Sequence, residues 1–148
     1  MPVAFAVESN EATIREIAEI VARDGSQMPN TVAADFDPDY EKYILAAKNG
    51  FLRIYTVRDD GALVGYAAYI VGVSLHHSRR RWATSDTVWL DPNARRPGVA
   101  PRLLRYIEAD LKNHATLMQT GAKVDSTWSR VLAAGGHSMT DVVHTKEL

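Results

Sequence analysis

An α/β domain of about six to seven strands and about four helices is predicted by three features of the sequence. Apolar β-prone runs alternate with segments of helical periodicity along the chain, two long runs flank an Asp-Asp-Gly turn, and no repeat or linker-like stretch interrupts the alternation. A chain of 148 residues fits one domain, 1–148, which at this size buries roughly two-thirds of its unfolded surface.

The elements follow in order. Val3 to Val7 is a short apolar strand, and Ser9 or Asn10 can cap a helix carrying Ile14, Ile17, Ala18 and Val21 and ending toward Gly25. A loop with Pro29 follows, and Asp37-Pro38 starts a second helix with Pro at its first position. Tyr40, Tyr43, Ile44 and Ala47 are its apolar stripe, and Asn49-Gly50 its stop. Phe51 to Val57 and Leu63 to Val73 form a hairpin across Asp59-Asp60-Gly61. Trp82 to Leu90 is a third long strand, stopped by Asp91-Pro92-Asn93 because proline cannot donate to a ladder. The segment from Val99 to about His114 is helical: Val99, Leu103, Leu104, Ile107 and Leu111 share one face, opposite Arg102, Arg105, Glu108 and Lys112. A weaker strand near Leu117 to Val124, a short helix from Asp125 or Ser126 to Ala134, and a last strand at Met139 to Lys146 complete the pattern.

Composition narrows the classes of function. With 17 basic and 18 acidic residues the net charge is -1, so no global field recruits nucleic acid or a membrane, and any anion site is local. No cysteine is present, which excludes disulfides, thiolate nucleophiles and cysteine-ligated zinc and fits a reducing cytoplasm. The longest apolar run, around Ala62 to Val73, is interrupted by Gly65, Tyr66 and Gly72, and the amino terminus lacks the parts of a signal peptide. A cytoplasmic, soluble protein without a membrane partner is expected, and a homodimer is compatible with the sequence.

The segment from Asp91 to Leu104 carries the strongest chemical signal. It runs from a strand end into a helix start, where unpaired N–H groups and the helix dipole favour an anion. Gly98 and Ala100 keep the approach open, and Arg95, Arg96 and Arg102 add positive charge. A tight turn with surface arginines is the plainer reading.

Arg95-Arg96-Pro97-Gly98-Val99-Ala100, followed by Leu103-Leu104, resembles the coenzyme A motif of the GNAT superfamily of N-acetyltransferases, Arg/Gln-x-x-Gly-x-Gly/Ala between a strand and a helix. The resemblance implies a mixed, mostly antiparallel central sheet and acetyl-CoA (coenzyme A) as cofactor. It also implies that N–H groups of Arg96, Gly98, Val99, Ala100 and Arg102 hold the pyrophosphate, while Val88, Trp89 and Leu90 present main-chain groups to the pantetheine arm. Pro97 and Pro101 depart from the pattern and remove up to two donors. A narrower likeness is to small phage-encoded acetyltransferases, carried by His76, Asp86, the run Thr87-Val88-Trp89-Leu90-Asp91-Pro92, Arg95 and the ending Lys146-Glu147-Leu148.

Acetyl transfer to an alkyl amine, with pKa of about 10.4, costs roughly 4 to 5 kcal/mol to reach the neutral nucleophile at pH 7, so a base is useful. Asp86 is the first candidate, on the strand before the turn, where the resemblance places an acidic residue facing the acceptor; an ordinary strand carboxylate paired with Arg80 or Arg81 is the alternative. His76 and His77 come next, as residues that titrate near neutrality or as solvated loop histidines. Their spacing suggests no third ligand, so no metal site is expected. The family's tyrosine acid falls at Leu132; Tyr106 or water could stand in, although Tyr106 reads as packing. Ser78-Arg79-Arg80-Arg81-Trp82 reads as a solvated hairpin loop or a local anion clamp rather than a nucleic-acid patch. Trp89 and Trp128 read as core or pocket wall, and Asp125 and Ser126 as helix caps.

The expected function is acetyl-CoA-dependent N-acyl transfer to a small-molecule or peptide amine by direct attack. A non-catalytic acyl-CoA-binding or protein-interaction domain on the same fold is the rival, since fold alone does not determine chemistry.

Overall fold

The structure is a computed structural model that describes residues 2–24, 37–146 and 148. Its elements run β1 (Ala4–Val7), α1 (Glu11–Asp24), α2 (Tyr40–Lys48), β2 (Leu52–Asp59), β3 (Ala62–Ser74), β4 (His77–Leu90), a 3-10 turn (Pro92–Ala94), α3 (Val99–Leu111), β5 (Leu117–Gln119) and α4 (Thr127–Ala134). The sheet order is β1-β2-β3-β4-β5. The first four strands pair antiparallel, and α3 is the crossover that brings β5 parallel to β4.

Local chemistry explains the starts and turns. Asn10, not Ser9, caps α1, its Oδ1 accepting from Thr13 N–H at 2.9 Å. Ser9 Oγ instead accepts from Ile54 N–H at 2.8 Å and ties the chain to β2. Asp39 rather than Asp37 caps α2, accepting from Lys42 N–H at 3.2 Å, so Pro38 precedes the cap instead of opening the helix. The β2–β3 turn holds Asp60 at φ 51° and Gly61 at φ 83°, the two left-handed residues that a tight two-residue hairpin requires. Gly25 and Pro29 lie outside the described residues.

Two apolar cores lie on opposite faces of the sheet. On one, Ile14, Ile17, Ile20 and Val21 of α1 and Ile44 of α2 pack on Leu52, Ile54, Tyr66, Ala68 and Trp89. On the other, the expected face of α3 packs on Tyr55, Val57, Ala67, Tyr69, Val71 and Ala83. Two charge networks fasten the layers. Arg53 Nε and Nη2 donate to Asp110 at 2.7 and 2.8 Å, and the Tyr55 hydroxyl donates to the same carboxylate at 2.7 Å, joining β2 to α3. Arg58 donates to Glu8 at 2.9 Å and to Glu16 at 2.8 Å, joining β2 to α1.

The sheet has five strands among the described residues, not six to seven. The expected strand Met139 to Lys146 does not form: these residues have no regular structure, and Met139, Val142 and Val143 stand exposed at 72%, 58% and 87%. β-prone residues gain little without a partner ladder to pack against. The strand expected at Leu117 to Val124 shortens to Leu117–Gln119.

Burial alone would raise the Asp110 and Glu8 carboxyls, but the bonds from Arg53 and Tyr55 to the first, and from Thr56 and Arg58 to the second, outweigh it and hold both below the ordinary carboxylate range. A group whose native pKa is depressed stabilises the fold above its unfolded pKa and loses that contribution as pH falls through the native value. Stability should therefore be flat above about pH 5 and decline below about pH 4. Asp110→Ala, which orphans Arg53 and the buried Tyr55 hydroxyl, should cost about 2–3 kcal/mol in urea denaturation at pH 7 and clearly less at pH 3.

Candidate functional site

β4 pairs with β3 along its length but with β5 only through Trp82, Ala83 and Thr84. Beyond that point Gly121 N–H donates to Ser85 Oγ at 2.8 Å, and no described strand pairs with the outer edge of β4 as far as Leu90. The two parallel strands thus part and leave a gap that points toward the α3 start. Of the three residues expected along this edge, Val88 and Leu90 pack toward the α3-side core, while Trp89 is buried on the other face with its ring 6.1 Å from Tyr66. The Leu90 carbonyl accepts from Arg95 Nε at 3.0 Å.

The turn after β4 is ordered by its own side chains. Asp91 accepts from Asn93 N–H at 2.8 Å, Ala94 is buried, and Gly98 precedes α3 at φ 83°, a left-handed conformation that disfavours any residue with a Cβ. A Cβ built on Gly98 would meet nothing within 4 Å, so the space before the turn is open.

The expected donors divide into two groups. Arg96 N–H bonds the Ala94 carbonyl at 2.8 Å, Val99 N–H the Arg96 carbonyl at 3.2 Å and Arg102 N–H the Gly98 carbonyl at 3.2 Å. Among the described residues nothing accepts from the N–H groups of Gly98 and Ala100, and Pro97 and Pro101 have none to offer. The arginines divide as well. Arg96 is ion-paired with Asp59, and Arg102 lies over the Phe5 ring at 5.2 Å with a bond to the Val3 carbonyl at 3.4 Å. Arg95 is exposed and, among the described residues, engaged only through Nε. Among the described residues the turn thus offers two free amides and the Arg95 guanidinium.

Asp86 sits at an irregularity. Ala68 faces Thr87 and the next residue, Tyr69, faces Ser85, so Asp86 has no partner on β3 and forms a β-bulge. The extra residue shifts the alternation: Ala83 faces the α3 core before it, Val88 and Leu90 after it, and both Asp86 and Thr87 line a small cleft against α1 and α2. Tyr43 of α2 donates from its hydroxyl to Asp86 Oδ2 at 2.6 Å, and Thr87 Oγ1 donates to the same oxygen at 3.3 Å. Burial, then the bond to Asp86, pushes the Tyr43 hydroxyl well above its ordinary value, so it stays protonated and donating across neutral pH. Sequence reasoning missed Tyr43, which counts as one more member of the α2 stripe until the fold sets it against β4.

The remaining candidates separate from this centre. His76 occupies the exposed β3–β4 turn, at the opposite end from the arginine turn; counted on β3, from Ser74 opposite His77 to Tyr69 and Ala68 around Asp86, it lies roughly 20 Å along the sheet from Asp86 at about 3.3 Å per residue. His77 stacks on Trp82, with ring centroids 5.3 Å apart. The run Ser78 to Arg81, expected as a hairpin loop, lies inside β4, with Arg81 Nε on the His114 carbonyl at 3.1 Å. Tyr106 packs on Phe5 and Tyr55, Leu132 is buried, and Ser126 caps α4 through Ser129 N–H at 3.1 Å. Among the described residues no group of three or more His, Asp or Glu side chains could hold a metal ion, and no helix is long and apolar enough to cross a membrane.

Solved structures share this fold over nearly the whole chain. A ribosomal-protein-alanine N-acetyltransferase from Brucella melitensis biovar Abortus 2308 is 16% identical, covers 99% of each chain and has a TM-score of 0.69. A predicted acetyltransferase from Clostridium acetobutylicum, solved with acetyl-CoA, is 12% identical over 99% of this chain and 96% of its own, with a TM-score of 0.70. An aminoglycoside acetyltransferase from an uncultured soil metagenomic sample, in complex with sisomicin, is 12% identical over 99% of this chain and 95% of its own, with a TM-score of 0.72. At such identities the likeness establishes the fold alone. No curated protein matches the sequence. The narrower likeness to phage-encoded enzymes gains no support from these neighbours. The profile of the Acetyltransferase (GNAT) family matches residues 15–129, and the chain belongs to that family, whose acetyl donor is acetyl-CoA.

Proposed function

We propose that the protein transfers an acetyl group from acetyl-CoA to a primary amine by direct attack, with Asp86 as the base. The observation that carries the reading is the bulge, which turns the Asp86 carboxylate into a cleft on the strand whose unpaired edge leads to the α3 turn. Acetyl-CoA, when bound, supplies an activated acyl carbon whose bond to sulfur breaks as the new C–N bond forms. The Gly98 and Ala100 amides and the Arg95 guanidinium suit its phosphates, and the main chain from Val88 to Leu90 suits its pantetheine arm. Asp86 Oδ1, to which no described residue donates, receives the amine proton, while Oδ2 is held by Tyr43. A thiol of pKa about 8.5 leaves as thiolate without an obligatory acid, so Leu132 in place of a tyrosine does not bar the reaction. Asp86 is favoured over His76 by position, since His76 lies at the far end of β4.

A non-catalytic acyl-CoA-binding domain is the second reading, favoured by Leu132 and by a cradle reduced to two free amides.

Asp86→Asn keeps an acceptor for Tyr43 but removes proton affinity. Acetyl transfer should fall roughly 10²- to 10⁴-fold, recover in part as pH rises, and leave the melting shift with acetyl-CoA unchanged; a wild-type rate from pH 6 to 9 would remove the base. Gly98→Glu should abolish the acetyl-CoA-dependent melting shift, whereas Gly98→Asn, which tolerates a left-handed backbone, retains most of it. Arg95→Ala should raise the coenzyme A dissociation constant more at low salt than at high, because an exposed charge is screened within about 8 Å at physiological ionic strength; a salt-independent loss would mark Arg95 as structural.

A further inference from the structure

The gap between β4 and β5 closes on a group of hydroxyls. Gly121 N–H donates to Ser85 Oγ at 2.8 Å, and the Tyr69 hydroxyl lies 2.8 Å from Thr120 Oγ1. Thr120 and Gly121 are consecutive, and Ser85 faces Tyr69 across the β3–β4 ladder. The four residues therefore meet where the two parallel strands part, just past their last pair, Thr84 and Gln119. Resting on the acetyl-transfer reading, we propose that the Ser85 and Thr120 hydroxyls seat the sulfur of acetyl-CoA and stabilise it as thiolate when the acetyl group leaves.

The direction of each proton supports this seat. Tyr69 is fully buried in the α3-side core, and burial pushes its hydroxyl above its ordinary value, so it stays protonated and donates to Thr120. Thr120 and Ser85 are half-buried, and each accepts from a fixed donor, Tyr69 O–H or Gly121 N–H. A hydroxyl that accepts in this way still has its own O–H to give, and both lie at the mouth of the gap. Position supports the seat as well. Ser85 and Asp86 are neighbours in β4, with Ser85 set against Tyr69 on the α3 side and Asp86 in the cleft against α1 and α2. The strand edge thus carries a proton acceptor on one face and hydroxyl donors on the other, as attack from one side and departure toward the other require. Asp86 Oδ1 takes the amine proton as the C–N bond forms. The C–S bond breaks with its electron pair on sulfur, to which Ser85 and Thr120 donate hydrogen bonds while keeping their protons. The thiolate takes a proton from water on release, and Asp86 returns its own to water. This chemistry places no demand on position 132, where the buried Leu132 stands.

The test reads the coenzyme A thiol itself. Ultraviolet absorbance of the thiolate is followed against pH in the coenzyme A complex of the full chain, with the desulfo-coenzyme A complex as blank; the protein adds no thiolate because it has no cysteine. The bound thiol should titrate at least about one pH unit below free coenzyme A, the worth of roughly one hydrogen bond to a charged group. Thr120→Val and Ser85→Ala should each return part of that shift and lower kcat roughly tenfold with KM for acetyl-CoA held, and Thr120→Ser should keep both near wild type. Melting temperature and affinity for desulfo-coenzyme A should match wild type in every variant, which separates a lost donor from a disturbed fold. Asp86→Asn should lose transfer and keep the shift. A wild-type bound thiol that titrates at or above the free one overturns the proposal whether or not the variants fold. A shift that survives unchanged in both Thr120→Val and Ser85→Ala overturns it too. A shift that shrinks in those variants while no amine is acetylated supports the seat and overturns the transfer reading.

Discussion

One extra residue in β4 organises the site. In a regular antiparallel ladder Asp86 and Thr87 would point to opposite faces; the bulge places both against α1 and α2 and returns Val88 and Leu90 to the α3 core. The same strand therefore serves two surfaces. Its cleft side holds the carboxylate, and its outer edge, which β5 leaves after Thr84, faces the gap above the α3 turn. Removing that residue would restore one-to-one pairing with β3 and leave Thr87, Val88, Trp89 and Leu90 on their present faces, so the bulge is not needed to place Trp89 in its core.

The rigidity around the bulge comes from both layers. Tyr66 and Trp89 pack beneath it on the α1 side, and Tyr69 and Ala83 are fully buried on the α3 side. The Arg53–Asp110–Tyr55 network fixes α3 to the sheet, so the helix whose start forms the turn cannot drift relative to β4. The turn itself is a compromise. Two prolines hold the backbone but remove donors, and Arg96 and Arg102 are tied to Asp59 and to β1. Among the described residues fewer groups are open at this turn than the motif suggests.

Much of the fold was legible because its signals are local. The α3 stripe, the Asp-Gly hairpin and the proline stop after Leu90 each state their structure within a few residues. The position of Asp86 on the strand before the turn was legible, but its hydrogen-bond partner was not: Tyr43 belongs to a helix stripe by spacing, and its hydroxyl meets β4 only through tertiary packing. The placement of His76 was less legible, because the charged run Ser78 to Arg81 reads as loop, whereas an exposed strand segment carries charges readily. Its residues Ser78 to Arg80 have no partner on β3 and bulge between the pairs Ser74–His77 and Val73–Arg81, and His76 lies beyond them in the β3–β4 turn. The C-terminal segment shows the converse. Its apolar alternation is genuine, yet no strand receives it within the described chain.

Membership of the acetyltransferase family and the shared fold leave the location of donor binding as the central question, because among the described residues the turn offers only two free amides. The most direct measurement is an amide nitrogen–proton NMR titration with coenzyme A. Gly98 and Ala100 should show the largest shifts, residues 85–90 should follow, and the Arg102 amide, bonded inside α3, should move little. Shifts confined to α1 and α2, or none at the turn under saturating ligand, would contradict the site described here.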